Sequence, residues 1–156
     1  MYRLRARFRL FVLASSGRET RDHAFTVESL VRHARTMLTA LDRLEQHGYR
    51  FGVRRIDVLA TPERQQLGLR VAEAFGSMAT TRPLEHPYYS GGLRYQIWVT
   101  APDGMEIPLI DGGTFDWVSK LAANRRAVYV ALEPVRSSSR SASAAPMFEP
   151  RRVSPW

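Results

Sequence analysis

The chain has 156 residues, no cysteine and a formal net charge of +8. This length fits one domain with its own hydrophobic core. The lack of cysteine excludes disulfide bridges and thiolate sites, and no apolar run approaches the roughly 20 residues of a membrane helix. We expect no signal peptide, no membrane partner and a cytoplasmic location. The basic excess favours anionic partners, although every basic residue except Lys120 is arginine, which also indicates genome composition.

The first third of the chain predicts a strand followed by a helix. Residues 2–13 alternate apolar and polar side chains, which is typical of a half-buried strand. Polar residues 15–20 predict a turn. Apolar side chains at helical spacing from Val27 to Leu44 predict a core-facing helix that ends at Gly48. Two histidines are predicted on the solvated face of this helix: His33 and His47.

The middle of the chain predicts a strand, a helix and a hairpin. Residues 53–60 are rich in Val, Ile and Leu, and Thr61-Pro62-Glu63 then has the composition of a helix start. That helix is expected to end at Gly76, with a loop over 77–87. Alternating residues 93–99, a Pro-Asp-Gly turn and residues 105–110 predict the hairpin.

The last part of the chain predicts two short elements and a tail. Asp111-Gly112-Gly113 is expected to break the second hairpin strand, in which Pro108 predicts an edge position or a bulge. A short helix over 114–121 and a strand over 127–132 follow. We therefore predict one α+β domain over 1–133, with a mainly antiparallel sheet flanked by helices. Residues 134–156, rich in Ser, Pro and Arg, are predicted to be a disordered tail.

The best-known catalytic and metal-binding motifs are absent. The four histidines have no metal-ligand spacing, so no metal site is predicted. No Gly-x-Ser-x-Gly elbow and no phosphate-binding Gly-x-x-x-x-Gly-Lys loop occurs. A different set of residues could carry chemistry, because arginine forks suit phosphate, aromatic faces can stack, and glycine allows close approach of a ligand. That set comprises Phe8-Arg9, the segment 21–28, the segment 86–91 and the segment 112–116.

These segments resemble the class II aminoacyl-tRNA synthetases. Phe8-Arg9 with Arg21-x-x-x-Phe25 is similar to motif 2 of that class. Tyr88-Tyr89-Ser90-Gly91 and Gly112-Gly113-Thr114-Phe115-Asp116 resemble two blocks of the histidyl type and of the related regulatory subunit of ATP phosphoribosyltransferase. The resemblance implies a partial class II synthetase-like core and makes 24–31 a strand, whereas periodicity alone makes 27–31 part of the helix. We place the predicted start of the helix near Ser29–Arg32.

The resemblance also implies site residues and ligands. ATP, with Mg²⁺ if the protein is active, would be bound by Arg9, Arg21, Phe25 and Glu28, of which Arg9 and Arg21 would be catalytic. An amino acid would be bound by Arg82, Tyr88, Tyr89, Gly112 and Gly113. If these groups form one site, Arg9, Phe25 and the glycine pair should converge on one concave face of the sheet.

The sequence departs from the family pattern in several places. No motif 1 precedes the motif 2-like segment, Phe11 and Thr114 replace an expected acid and an expected arginine, and no motif 3 arginine is evident. Three functions therefore stay open: ATP-dependent amino-acid activation, a non-catalytic regulatory or binding subunit, and a basic nucleic-acid-binding protein. A homodimer or a partner chain could supply the missing motifs, and the chain could be a fragment or have an altered C-terminus. tRNA is not an expected partner without an anticodon-binding domain.

Overall fold

The computed structural model describes residues 11–85 and 88–135. Most of the predicted strand over 2–13, including Arg9, lies outside the described residues, as do His86, Pro87 and the predicted disorder of 136–156. The described elements follow in chain order: β1 (Leu13–Arg18), α1 (Ala24–Gln46), β2 (Arg54–Ala60), α2 (Gln65–Glu73), β3 (Ala79–Pro83), β4 (Leu93–Thr100), β5 (Glu106–Phe115), α3 (Trp117–Leu121) and β6 (Ala127–Pro134).

The six strands form one sheet in the order β1-β6-β5-β4-β2-β3. All neighbouring pairs are antiparallel except β2 and β3, which are parallel. The predicted α+β class, with a mainly antiparallel sheet flanked by helices, is confirmed. None of the described helices is long and apolar enough to cross a membrane.

The two longer helices pack on one face of the sheet. The buried stripe of α1, which includes Leu30, Ala34 and Leu41, forms one core cluster with Tyr95 and Ile97 of β4. Each large apolar side chain buried in this way stabilises the fold by roughly 1.5–3 kcal/mol. The register places alternate residues of neighbouring strands on the opposite face, which we call the open face. Its members include Asp57, Arg94, Asp111, Gly113, Phe115 and Tyr129.

Three local predictions were wrong, two of them because strand pairing overrode local composition and the third because a helix replaced a strand that the resemblance implied. The expected turn over 15–20 is mostly strand β1, which pairs with β6 along its whole length. The expected loop over 77–87 contains β3, which completes the sheet beside β2. The segment 24–31 is helical from Ala24 onward and is not a strand.

The strand β5 does not break at the glycine pair. It continues through residues 111–113 to Phe115, and α3 begins at Trp117 instead of Thr114. The bulge predicted at Pro108 is confirmed, because Ile97 pairs with Ile110 whereas Trp98 pairs with Pro108. The alternative edge position is wrong, since β5 lies between β4 and β6.

His33 does not lie on a solvated face. It is buried, with 5% of its surface exposed, and its Nε2 lies 2.8 Å from the hydroxyl of Ser15 on β1. Its Nδ1 has no hydrogen-bond partner among the described residues. Burial, with a smaller contribution from the charge of Arg32, lowers the pKa of His33 below its ordinary value of 6.5. The neutral imidazole therefore joins α1 to the edge strand.

Protonation of His33 should destabilise the protein in mild acid. A histidine whose folded-state pKa is lowered binds a proton more readily in the unfolded chain, so its contribution to stability falls as pH drops below about 6.5. We expect the free energy of unfolding to fall by up to about 1.4 kcal/mol per pH unit in that range relative to His33→Gln. Urea titrations of both proteins at pH 5–8 measure the difference, and parallel pH profiles would contradict it.

Candidate functional site

Two of the segments that resemble the histidyl type meet on the open face. Tyr89 is only 3% exposed, and its ring lies against the main chain of Gly113. A Cβ at position 113 would lie 2.7 Å from the Tyr89 ring and 2.4 Å from the carbonyl oxygen of Leu93. A Cβ at Gly112 would instead meet Leu132 and Tyr95 on the helix-covered face. Gly113 alone of the glycine pair therefore supports the tyrosine.

Four aromatic rings form a cup next to this contact. We define the aromatic cup as Tyr88, Tyr89, Phe115 and Tyr129. The ring centroids of Tyr88 and Tyr89 lie 5.2 Å apart, those of Tyr89 and Phe115 4.9 Å apart, and those of Phe115 and Tyr129 5.8 Å apart, which are favourable separations for aromatic pairs. A cavity of about 160 Å³ beside the rings is also lined by Ala131 and the carboxylate of Glu133. Tyr88 is 75% exposed, so the cup opens to solvent.

A charged pair, Arg94 and Asp111, also lies next to Tyr89. Arg94 Nε donates to Asp111 Oδ1 at 2.9 Å, and a second bond joins Arg94 Nη2 to Asp111 Oδ2. The guanidinium lies 5.9 Å from the centroid of the Tyr89 ring, within the range of a cation–π contact. Burial, together with the nearby Asp111 carboxylate, raises the pKa of Tyr89, so the hydroxyl stays protonated.

Arg82 lies on the open face but outside the aromatic cup. It is on β3 opposite Leu59 of β2, which is in turn opposite Arg94 of β4. Its Nε lies 3.7 Å from the buried carboxylate of Asp57, which also accepts a hydrogen bond from Thr80. Arg82 is therefore two strands away from Arg94 and is paired with Asp57.

The residues assigned to ATP do not join this site. Phe25 packs on the helix-covered face, where a Cβ at Gly17 would lie 2.6 Å from its ring. Glu28 is exposed on α1, and Arg21 is exposed in the short turn before that helix. Because the segment after residue 23 is helical, the sheet separates Phe25 from Tyr89. The expected convergence of Phe25 with the glycine pair does not occur, and Arg9 lies outside the described residues.

Sequence reasoning missed most of the polar and aromatic partners of Tyr89. Arg94 was identified only as the polar side of an alternating strand, and Asp111 only as part of a strand break. Phe115 lay inside a segment that drew attention for its glycines, and Tyr129 inside a predicted strand. The alternation of side chains along a strand could have identified some of them. Because β5 is continuous, residues 111, 113 and 115 lie on the same face of the sheet. Glu133, whose charge also acts on Tyr89, was not identified from the sequence.

The described residues contain no group of three or more histidine, aspartate or glutamate side chains that could hold a metal ion. No protein-family model matches the chain, and no curated protein sequence matches it.

The fold resembles that of a histidyl-tRNA synthetase. The apo structure of the S. aureus enzyme superposes with a TM-score of 0.52 at 12% sequence identity. The match covers 80% of this chain but only 36% of the synthetase, so the chain corresponds to about a third of that protein. At this identity the likeness shows the fold alone. It supports the class II synthetase-like core that the sequence resemblance implied.

Proposed function

We propose that this protein binds an amino acid in the aromatic cup and does not activate it. The observation that carries the proposal is the position of Tyr89. Two segments that resemble an amino-acid pocket, more than twenty residues apart in sequence, meet there on the open face of a synthetase-like fold. The described residues that were assigned to ATP lie elsewhere: Phe25 packs on the helix-covered face, Glu28 is exposed on α1, and Arg21 lies in the turn before α1. The proposal is therefore a binding subunit and not a ligase.

The lining of the cup suits the ammonium group and the side chain of an amino acid. The carboxylate of Glu133 is exposed at the cavity and can accept hydrogen bonds from an ammonium group. The rings of Tyr88, Phe115 and Tyr129 offer apolar area to the side chain, and their faces attract positive charge. A cavity of about 160 Å³ is well below the roughly 300–1,000 Å³ of pockets for drug-sized ligands. An amino acid fits this size class better than a nucleotide does.

Thermal unfolding with each amino acid in turn tests the proposal. A ligand at 100 times its dissociation constant stabilises the protein by about 2.7 kcal/mol, and we expect one amino acid or a small group to do so. Tyr88→Ala should raise the dissociation constant for that amino acid at least tenfold. It should cost little stability, because this side chain is mostly exposed. Met105→Ala, in the β4–β5 turn and also exposed, serves as the matched control. No response to any amino acid, or an equal loss in both variants, would reject the proposal.

The two alternatives give different results with other ligands. ATP-dependent activation would appear as pyrophosphate exchange with ATP, Mg²⁺ and the bound amino acid, whereas we expect no exchange. Nucleic-acid binding, suggested by the net charge of +8, would appear as retention of RNA or DNA that weakens steeply with salt. Either result without an amino-acid response would replace the binding proposal.

A further inference from the structure

A second cavity lies at the rim of the sheet, where β1 and β5 end and β6 begins. We call it the rim cavity and define it by Glu19, Arg64, Thr114, Asp116 and Arg125, which line a volume of about 110 Å³. Phe115 is the single residue that it shares with the lining of the aromatic cup. The rim cavity and the cavity beside the aromatic cup are therefore adjacent but are lined by different residues, apart from Phe115.

Hydrogen bonds between distant segments hold the walls of the rim cavity in place. The amide of Glu19 donates to the carbonyl of Arg126 at 2.6 Å, which joins the end of β1 to the turn before β6. The amide of Gly91 donates to the carbonyl of Thr114 at 3.0 Å, and the amide of Asp116 donates to Ser90 Oγ at 3.1 Å. Five chain segments line the cavity, and these bonds join four of them in two pairs.

The two carboxylates of the rim cavity are already engaged. Glu19 accepts hydrogen bonds from the hydroxyl and the amide of Thr26 and from the amide of Thr20. Burial alone would raise the pKa of Glu19, but these hydrogen bonds more than offset it, so the pKa is lowered and the group stays ionised. Asp116 pairs with Lys120 at 2.7 Å. Neither carboxylate leaves a negative charge without a partner.

The two arginines of the rim cavity are not engaged in this way. Over residues 11–85 and 88–135, neither Arg64 nor Arg125 pairs with a carboxylate. The stem of Arg64 lies close to Gly92, since a Cβ at Gly92, whose φ is 80°, would lie 3.0 Å from Arg64 Cγ. Arg125 belongs to the turn that the Ala127 amide closes onto the Asn124 carbonyl at 2.9 Å. Two arginines without a carboxylate partner among the described residues therefore line one small cavity.

We infer that the rim cavity binds a phosphate-type oxyanion between Arg64 and Arg125. Planar guanidinium forks match the oxygens of such an anion and form short, charge-assisted hydrogen bonds with it. The cavity is too small for a nucleotide, but an open groove lined by Thr61, Ser90 and Gly92 continues from Arg64. The anion could thus be free phosphate or the phosphoryl group of a small ester. This site does not depend on the proposed amino-acid site.

Calorimetric titration of the full chain with inorganic phosphate at constant ionic strength tests this inference. We expect Arg64→Gln and Arg125→Gln each to raise the dissociation constant at least tenfold. Arg70→Gln makes the same charge change on an exposed position of α2 and should leave binding unchanged. Absence of phosphate binding to the unaltered chain, or equal weakening in all three variants, would overturn the inference.

Two further titrations identify the source of the anion and separate the two sites. Tighter binding of glycerol 3-phosphate than of inorganic phosphate, lost in Arg64→Gln, indicates an ester whose organic part lies in the groove. Equal or weaker binding indicates free phosphate. Arg64→Gln should retain the amino-acid response of the unaltered protein, so failure of one site does not decide the other.

Discussion

Replacement of Gly113 by alanine is expected to destabilise the protein by about 3 kcal/mol or more and to abolish the amino-acid response. The added Cβ would lie 2.4 Å from the Leu93 carbonyl and 2.7 Å from the Tyr89 ring. Both neighbours are buried, and one of them is main chain in the adjacent strand, so relief requires movement of β4 or loss of the tyrosine from its place. Thermal unfolding and ligand titration well below the midpoint measure the two effects.

A second glycine provides the control for this substitution. Gly104, in the hairpin turn, has a φ of 87° and open space around the position of a Cβ. Gly104→Ala should therefore cost only about 1 kcal/mol, from backbone strain, and should leave ligand binding intact. If Gly113→Ala were no more destabilising than Gly104→Ala, the close packing of Tyr89 on β5 would be incorrect.

Replacement of Asp111 by asparagine is expected to cost about 2–3 kcal/mol and to weaken amino-acid binding at least tenfold. The carboxylate accepts two hydrogen bonds from Arg94 and lies near the Tyr89 hydroxyl, whereas an amide offers one acceptor and turns a donor toward the guanidinium. The side chains of Asp111 and Arg94 are 17% and 28% exposed, so the cost falls below that of breaking a fully buried pair. Urea unfolding and calorimetry give both values.

A carboxylate on the surface offers the matched comparison. Asp42 pairs with Arg54 but is 57% exposed, so Asp42→Asn should cost less than about 1 kcal/mol. The double variant Arg94→Gln/Asp111→Asn should be less destabilised than the sum of its two single variants, because the second change removes a partner that is already lost. Strict additivity would mean that Arg94 and Asp111 do not stabilise the fold as a pair.

The elements that the sequence predicted well share strong local signals. The stripe of α1 and the alternation of β4 each identify one buried face, and the Pro-Asp-Gly turn joins β4 to β5. Pro108 correctly predicted a bulge because proline lacks the amide that a regular ladder needs. The errors fell on β1 and β3, whose serine, glycine and threonine residues form strands only because neighbouring strands pair with them.

The candidate site was predictable only in part. Tyr88, Tyr89 and Gly113 were identified from a resemblance, and the structure places them together. Arg21, Phe25 and Glu28 were assigned to ATP on the same grounds, and the structure separates them from the tyrosines. The difference arises at Ala24, because a helix there turns residue 25 toward β1, whereas a strand would have continued along the sheet.

The amino-acid sequence alone determined the fold class, the core-facing stripes and the hairpin, because hydrophobic periodicity and turn residues act over short distances. Only the tertiary structure decided which polar groups meet. Arg94 becomes a neighbour of Asp111 and Gly113 through the pairing of β4 with β5, which is continuous through the glycine pair. A different pairing, that of β1 with β6, places Ser15 in the sheet where α1 packs His33 against it. Contacts of this kind depend on register between segments far apart in sequence, which local composition does not encode.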